Sequence, residues 1–260
     1  MPNMAVAWNG SVVAITGGSR GIGRKIAEAA SARGASVGLI ARSLPDLEDT
    51  ASALPGRSAT AVADVAHGDQ VRAALAQLAS ELGPIDILVN NAGLGGYGAY
   101  AEAGADLVER LMRANFFGAV HAVDAVVGDM IGRRRGHIVM IGSIAGKLGA
   151  PFEVAYSASK FAMTGFSEAL AVELAPHGIG LSMVHPGPVD TGFFAARGVP
   201  YARRFPRPVT AERVAAEVIR SVDRNRFEAI VPRWLQFAVL VRTIAPGLYR
   251  SGATRSTREA

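Results

Sequence analysis

Tyr156 and Lys160 stand four residues apart in the stretch Tyr156-Ser157-Ala158-Ser159-Lys160, which reads as helix. Side chains at i and i+4 share a helix face, so the phenol and the ammonium are neighbours. A free phenol has a pKa of about 10 and is a poor base at neutral pH. A nearby cation favours the phenolate and lowers that pKa. Such a pair can take and give a proton near working pH. The spacing is short, and alone it equally describes a surface tyrosine beside a solvated lysine. The chain's own bias makes the lysine informative: it uses 24 Arg and only 3 Lys. An ammonium is a compact charge whose pKa shifts readily, whereas a guanidinium is a broad planar fork.

The totals fit a globular α/β protein. At 260 residues, half of them hydrophobic and 19% charged, the chain can bury a large core. It has no cysteine, which excludes disulfides, thiolate chemistry and cysteine-based metal sites and suits a reducing compartment. The five histidines (67, 121, 137, 177 and 185) show no metal-ligand spacing, so no metal is expected. The net charge of +5 is scattered apart from Arg133-Arg134-Arg135 and the C-terminal tail, and no nucleic-acid partner is expected. No secretory signal is visible and no apolar run reaches the roughly 18 residues of a membrane span, so a cytoplasmic location is the expectation.

The elements that must position the pair begin with a short β-branched strand, Val12 to Ile15, followed at once by Thr16-Gly17-Gly18-Ser19-Arg20-Gly21-Ile22-Gly23. A helix then runs from Arg24 to Arg33, stopped by Gly34. Strand, glycine turn and helix form the layout of a dinucleotide site, where the backbone approaches a pyrophosphate and a helix N-terminus faces it. The spacing is GxxxGxG rather than GxGxxG, and a purely structural turn is the other reading. The next strand, Ser36 to Ala41, ends in Ala41-Arg42-Ser43. An NAD site usually carries an acid there for the ribose 2′-hydroxyl. Arg42 instead suits a 2′-phosphate, with Arg20 as a second anion partner. The alternative is two surface arginines in an arginine-rich chain. NADP(H) is the preferred cofactor, with NAD(H) left open.

Further elements follow in alternation. Helix is expected over 44–54, strand over 59–63 ending at Asp64-Val65, and helix over 69–82. Strand is expected over 85–89, ending at Asn90-Asn91-Ala92-Gly93. A long helix or pair of helices covers 105–130 with Asn115 near its middle, and Arg133 to Arg135 read as a solvated helix terminus. Strand over 137–141, helix over 154–174, strand over 180–184, helix over 210–222 capped by Thr210, and a last strand over 229–231 complete the order. Such alternation calls for a parallel sheet of about seven strands with helices on both faces, and ligands beyond the strand C-termini. The glycine loop, Arg42, Asp64 and Asn91 all fall at that end. His185, at another strand end, reads as hydrogen-bonded structure rather than a base.

Taken together these motifs resemble the short-chain dehydrogenase/reductase family from about Val12 to Val231. Five of them occur in the family's order: TGGSRGIG from Thr16, NNAG from Asn90, Asn115, Ser143 before Tyr156 with Lys160, and PGPVDT from Pro186. The resemblance implies one doubly wound Rossmann-type domain over residues 1–232, followed by an amphipathic helix and basic tail over 233–260. It implies that Tyr156 exchanges a proton with the substrate oxygen, while Lys160 lowers the Tyr156 pKa and binds the nicotinamide ribose. Ser143 would stabilise charge on the substrate oxygen, and Asn115 would hold a water linking Lys160 to solvent. Gly17, Ser19, Arg20, Ile22 and Gly23 would line the pyrophosphate and adenosine side. Asp64 and Val65 would meet adenine, Asn91 with Ala92 and Gly93 the adenosine side, and Pro186, Gly187, Val189 and Thr191 the nicotinamide. The family is usually dimeric or tetrameric, with the Asn115 and Tyr156 helices at the interface.

The expected activity is interconversion of a ketone or aldehyde and an alcohol by hydride transfer, with reduction the expected direction. The alternatives are reduction of an acyl-chain 3-oxo group and a non-catalytic nucleotide-binding regulator on the same fold. Phe193, Phe194, Tyr201 and Phe205 lie in the family's flap region and either favour a bulky apolar substrate or fill the flap's own core. Arg197, Arg203, Arg204 and Arg207 there read as solvated, with an anionic substrate or partner as the other reading. Apolar residues from Trp234 to Leu248 recur at helical spacing, with Pro246 interrupting or ending the helix. That helix is expected to pack on its own domain or a partner subunit, with peripheral membrane contact through 233–250 as the other possibility. Residues 251–260 are expected to lack fixed structure.

Overall fold

Strands covered by helices on both sides need nearly unbroken apolar runs. β1 (Val12–Thr16) is such a run, buried at all positions. It leads into α1 (Gly21–Ser31), β2 (Ser36–Ala41), α2 (Leu44–Ser52), β3 (Ser58–Val62), α3 (Gly68–Leu82) and β4 (Ile87–Asn90). The second half contains α4 (Tyr100–Leu111), a π-helical turn at Met112–Phe117, α5 (Gly118–Arg133), β5 (His137–Ile141), α6 (Val154–Leu174) and β6 (Gly180–Pro186). A two-residue ladder pairs β7 (Val189–Asp190) with β8 (Val209–Thr210), with the short α7 (Phe193–Ala196) between them. α8 (Ala211–Asp223), β9 (Glu228–Val231), α9 (Leu235–Ile244) and α10 (Pro246–Arg258) follow. This computed structural model describes residues 6–201 and 206–258, with side chains through residue 254. Arg203, Arg204 and Phe205 lie outside the described residues.

The seven-stranded sheet has the order β3-β2-β1-β4-β5-β6-β9, and every pairing is parallel. Side chains alternate across it with period two. Val13 and Ile15 join Ile26 of α1 and Val214 and Val218 of α8 on one face. Val12 and Ala14 join Leu75 and Leu78 of α3, Met130 of α5 and Met163 of α6 on the other. The chain crosses from one half of the sheet to the other between β1 and β4. That switch opens a crevice at the strand C-termini.

Three expectations are refined or corrected. The helix or pair expected over 105–130 begins just after a kink at Gly104 that joins it to a leading turn from Tyr100, and it is interrupted by the π turn that carries Asn115. Arg133 and Arg135 are not merely solvated. Arg133 Nη1 and Arg135 Nε each donate to Asp86 Oδ1 at 2.9 Å, and Asp86 is 6% exposed. Their neighbour Arg134 takes the left-handed conformation (φ 51°) that ends α5 and turns the chain back toward the sheet. Finally, the stretch from residue 251, expected to lack fixed structure, continues as α10 to Arg258; Pro246 interrupts the helix as expected, α9 ending at Ile244 and the proline opening α10. Tyr249 Oη anchors that helix by donating to Gly149 O at 2.8 Å, and the Arg242 guanidinium lies 5.2 Å from the Phe161 ring centroid.

Candidate active site

The glycine turn is built for close approach. Gly17 has φ +64°, and a Cβ on it would lie 2.9 Å from Ala92 Cα. A Cβ on Gly23 would come within 2.1 Å of Gly17 O. Only glycine fits either place. Asn91 clasps the turn, its Nδ2 donating to Thr16 O at 3.0 Å and Gly17 O at 2.9 Å. Thr16 Oγ1 in turn accepts from the Asn91 and Ala92 backbone at 3.0 and 3.1 Å. Arg20 precedes α1 without a side-chain cap, and no acid sits in the first turn. The free N–H groups there point to an anion, as a pyrophosphate would require. The cradle therefore fits a dinucleotide.

At the outer end of the crevice, Arg42 is largely exposed and its Nη1 stands 4.0 Å from Asp64 Oδ2. Arg20, Arg42, Ser43 and Asp46 line this end together. Asp46 also donates its backbone N–H to Ser43 Oγ at 3.4 Å, in the cap of α2.

At the inner end, α6 brings the pair together. Tyr156 is half-buried in the wall of the cleft, with the Ser143 side chain near enough to oppose the rise in the phenol's pKa. Lys160 is 4% exposed, donates from Nζ to Ile141 O at 2.9 Å, and lies 5.9 Å from the Tyr156 ring centroid. The expectation that Lys160 depresses the phenol is corrected here. Loss of hydration dominates and raises Tyr156 to about 12, with Glu153 adding to the rise and Ser143 and Arg197 opposing it. The same loss of hydration lowers Lys160 to about 8. At neutral pH the phenol is protonated and the ammonium still mostly charged, which is the state that can donate a proton.

Behind this floor, Asn115 is fully buried in the π turn, and its three side-chain hydrogen bonds hold structure. Its Oδ1 accepts from Leu94 N at 2.7 Å, and its Nδ2 donates to Leu94 O and Ser159 Oγ, both at 3.0 Å. A Cβ on Gly93 would press to 3.2 Å from Asn115 Oδ1. π bulges inside helices occur often at functional sites. His185 is also fully buried, with Nδ1 3.1 Å from Ser143 O and Nε2 3.1 Å from Glu228 Oε1, the latter poorly aligned for a hydrogen bond. Closeness to His185, then to Lys147, holds Glu228 down at about 2 against the opposing effect of burial. His185 thus supports the serine's backbone, in line with its reading as structure.

One cleft of about 2240 Å³ gathers most of the expected residues. Gly17, Ser19, Arg20, Ile22, Arg42, Asp64 and Val65 line the half beside α1 and β2. Asn91, Ala92, Gly93, Ser143, Tyr156 and Lys160 line its middle, and Pro186, Gly187, Val189 and Thr191 line the β6 side. Gly23 and Asn115 stand behind the wall and act on packing.

Sequence reasoning missed part of this wall. Arg197, read as solvated, is buried: it pairs with Glu153 and stacks between Tyr97 and Phe194, 4.8 and 4.7 Å from their ring centroids. Phe193 lies 5.7 Å from Tyr156, Phe194 5.7 Å from Phe193, and Tyr201 5.0 Å from Phe194, centroid to centroid. Phe193, Phe194 and Tyr201 therefore pack on one another as the flap's own core, with Phe193 covering the tyrosine. Leu235, Ala238, Leu248 and Tyr249 of the C-terminal helices close the remaining side. The apolar periodicity of 234–248 was the available signal for that wall, but it does not say which surface the helices meet.

Known proteins are similar to this chain in sequence and fold. The sequence model described as short chain dehydrogenase matches residues 11–199. Dehydrogenase/reductase SDR family member 7B of Mus musculus is 32% identical over 265 residues, covering 96% of this chain and 82% of that protein. A 3-ketodihydrosphingosine reductase of Bacteroides thetaiotaomicron is 40% identical over 188 residues, covering 72% and 67%. The crystal structure of a short chain dehydrogenase/reductase from Burkholderia phymatum in complex with NAD superposes with a TM-score of 0.86 at 27% identity, covering 94% of this chain and 96% of that one. Fold, motif order and these similarities agree that the chain belongs to the short-chain dehydrogenase/reductase family of NAD(P)-dependent oxidoreductases.

Proposed function

We propose that the protein uses NADPH to reduce a ketone carried on a bulky, largely apolar substrate. The observation that carries this reading is that the Ser143, Tyr156 and Lys160 side chains line one cleft, which also has a wall made of Phe193, Leu235 and Leu248. Drug-sized ligands usually occupy about 300–1,000 Å³. The cleft exceeds that range, leaving room for a dinucleotide and a large substrate.

The cofactor, when bound, supplies a hydride to the carbonyl carbon. Tyr156 Oη gives its proton to the carbonyl oxygen, so C=O becomes CH–OH. Ser143 Oγ donates to the same oxygen. Negative charge builds there only as the reaction proceeds, so the serine acts mainly on the transition state. Lys160 stabilises the tyrosinate left after donation, and the reverse sequence oxidises an alcohol. Arg20 and Arg42 receive the 2′-phosphate, in place of an acid that would favour a free ribose hydroxyl. Asn115 holds the Leu94 loop and the Lys160 helix in register through Ser159. A 3-oxo group on a long chain is the second reading, favoured by the similarity to a reductase named for 3-ketodihydrosphingosine and by the cleft's size. Exposed Phe117, Val154 and Val172 offer a surface for a second copy.

The cofactor assignment is tested by measuring NADPH and NADH dissociation constants for wild type and Arg42→Ala. NADPH is expected to bind more tightly to wild type and to weaken by about 10- to 100-fold in the variant, the scale of a lost charged hydrogen bond. NADH binding should be unchanged. Equal affinity of wild type for the two cofactors would overturn the assignment.

The pH profile of reduction tests the lysine. Burial lowers Lys160, so its cation is present below about 8 and lost above. Reductive kcat/KM should therefore decline as pH rises through about 8, well before Tyr156 ionises at about 12. A decline centred near the ordinary lysine value would show that the ammonium is hydrated.

A further inference from the structure

We propose that the outer face of α9 and α10 docks on an anionic lipid bilayer, so that an apolar substrate passes from the membrane into the cleft. The route into the cleft rests on the substrate reading above; the docking itself does not.

α9 is apolar on both sides, and α10 adds Leu248. The inner side lines the cleft with Leu235, Ala238 and Leu248. On the outer side Phe237 is 70% exposed, Leu240 51% and Ile244 73%, and these lie at i, i+3 and i+7 on one stripe. Leu248, at 68%, stands at the edge between the two sides. Single exposed apolar side chains are ordinary, but a continuous stripe is the mark of an interaction surface.

Charge selects the occupant. From Ala229 to Arg258 the sequence has five arginines and no Asp or Glu. Arg233 and Arg250 are exposed on these elements, and Arg207 and Arg213 border a notch of about 460 Å³ beside Trp234. No salt bridge among the described residues involves any of these four arginines. A two-fold contact between copies would press this acid-free segment against itself, arginine toward arginine. An anionic membrane surface meets both the stripe and its cationic rim. No helix among the described residues is long and apolar enough to cross a membrane, so the geometry is that of a helix pair lying on the surface.

The test is flotation of the full chain with vesicles of phosphatidylcholine alone or mixed about three to one with phosphatidylglycerol. Wild type should float with the mixed vesicles and release at high salt. A double variant, Phe237→Ser with Ile244→Ser, should lose about tenfold or more of that binding. Val172→Ser, 75% exposed on α6, is the control that should float like wild type. Reduction of a small water-soluble ketone and near-ultraviolet circular dichroism check that the double variant is folded. Failure of wild type to float, or equal flotation of the double variant, would overturn the proposal. So would a lower oligomer mass of the double variant in sedimentation velocity, which would give the stripe to a second copy. Vesicle binding with no turnover of any ketone would support docking and count against the cleft reading alone.

Discussion

Tyr156→Phe is expected to slow ketone reduction by about 10²- to 10⁴-fold, the usual contribution of a positioned general acid. NADPH affinity should move by no more than about twofold, because the change removes one oxygen and keeps the ring. The ring keeps its place beside Phe193, 5.7 Å away, so the wall of the cleft survives. Ser143 Oγ still accepts from Ala145 N at 3.1 Å, and the serine turn stays in register. Steady-state kinetics and a cofactor titration on the same preparation separate the two effects. A loss below about fivefold would assign proton donation to another group.

The largest expected effect on stability is at Asp86, far from the cleft. Asp86→Ala is expected to cost about 2–4 kcal/mol, read as a lower urea midpoint at unchanged m-value. The carboxylate joins three parts of the chain. Its Oδ1 accepts from Arg133 and Arg135, both at 2.9 Å, and its Oδ2 accepts from Val12 N at 3.2 Å. Removing it leaves a buried N–H at the start of β1 and Arg135 without its acid, while Arg133 keeps Asp129 at 2.8 Å. Arg135 is half-exposed, so water recovers part of the loss. Asp86→Asn should cost less, since an amide oxygen can still accept from Val12. A change under about 0.5 kcal/mol for alanine would mean that the arginines are solvated after all.

The parts legible in the sequence were those set by neighbours along the chain. Strand, glycine turn and helix from Val12 to Ser31 follow from β-branched residues beside positions only glycine can occupy. The Tyr156–Lys160 relation follows from helix geometry. What escaped depended on distant segments. Asp86 collects two arginines about 50 residues away, and no local pattern marks it. Arg197 looked solvated in an arginine-rich flap because its partners, Glu153 and Tyr97, come from other elements. Asn115 was singled out correctly as unusual in a helix, yet the π turn around it follows from the Leu94 loop and Ser159. The phenol's high pKa has the same origin, since burial is a property of the assembled cleft.

Glu153 and Arg197 fasten the flap to the helix that carries the phenol. Glu153 sits at the start of that helix, and Arg197 belongs to the flap. The carboxylate raises the phenol's pKa and the guanidinium lowers it, so the two opposed effects offset one another while burial sets the direction. The ion pair that holds the cover over Tyr156 therefore leaves the acidity of the phenol to the dryness of the cleft.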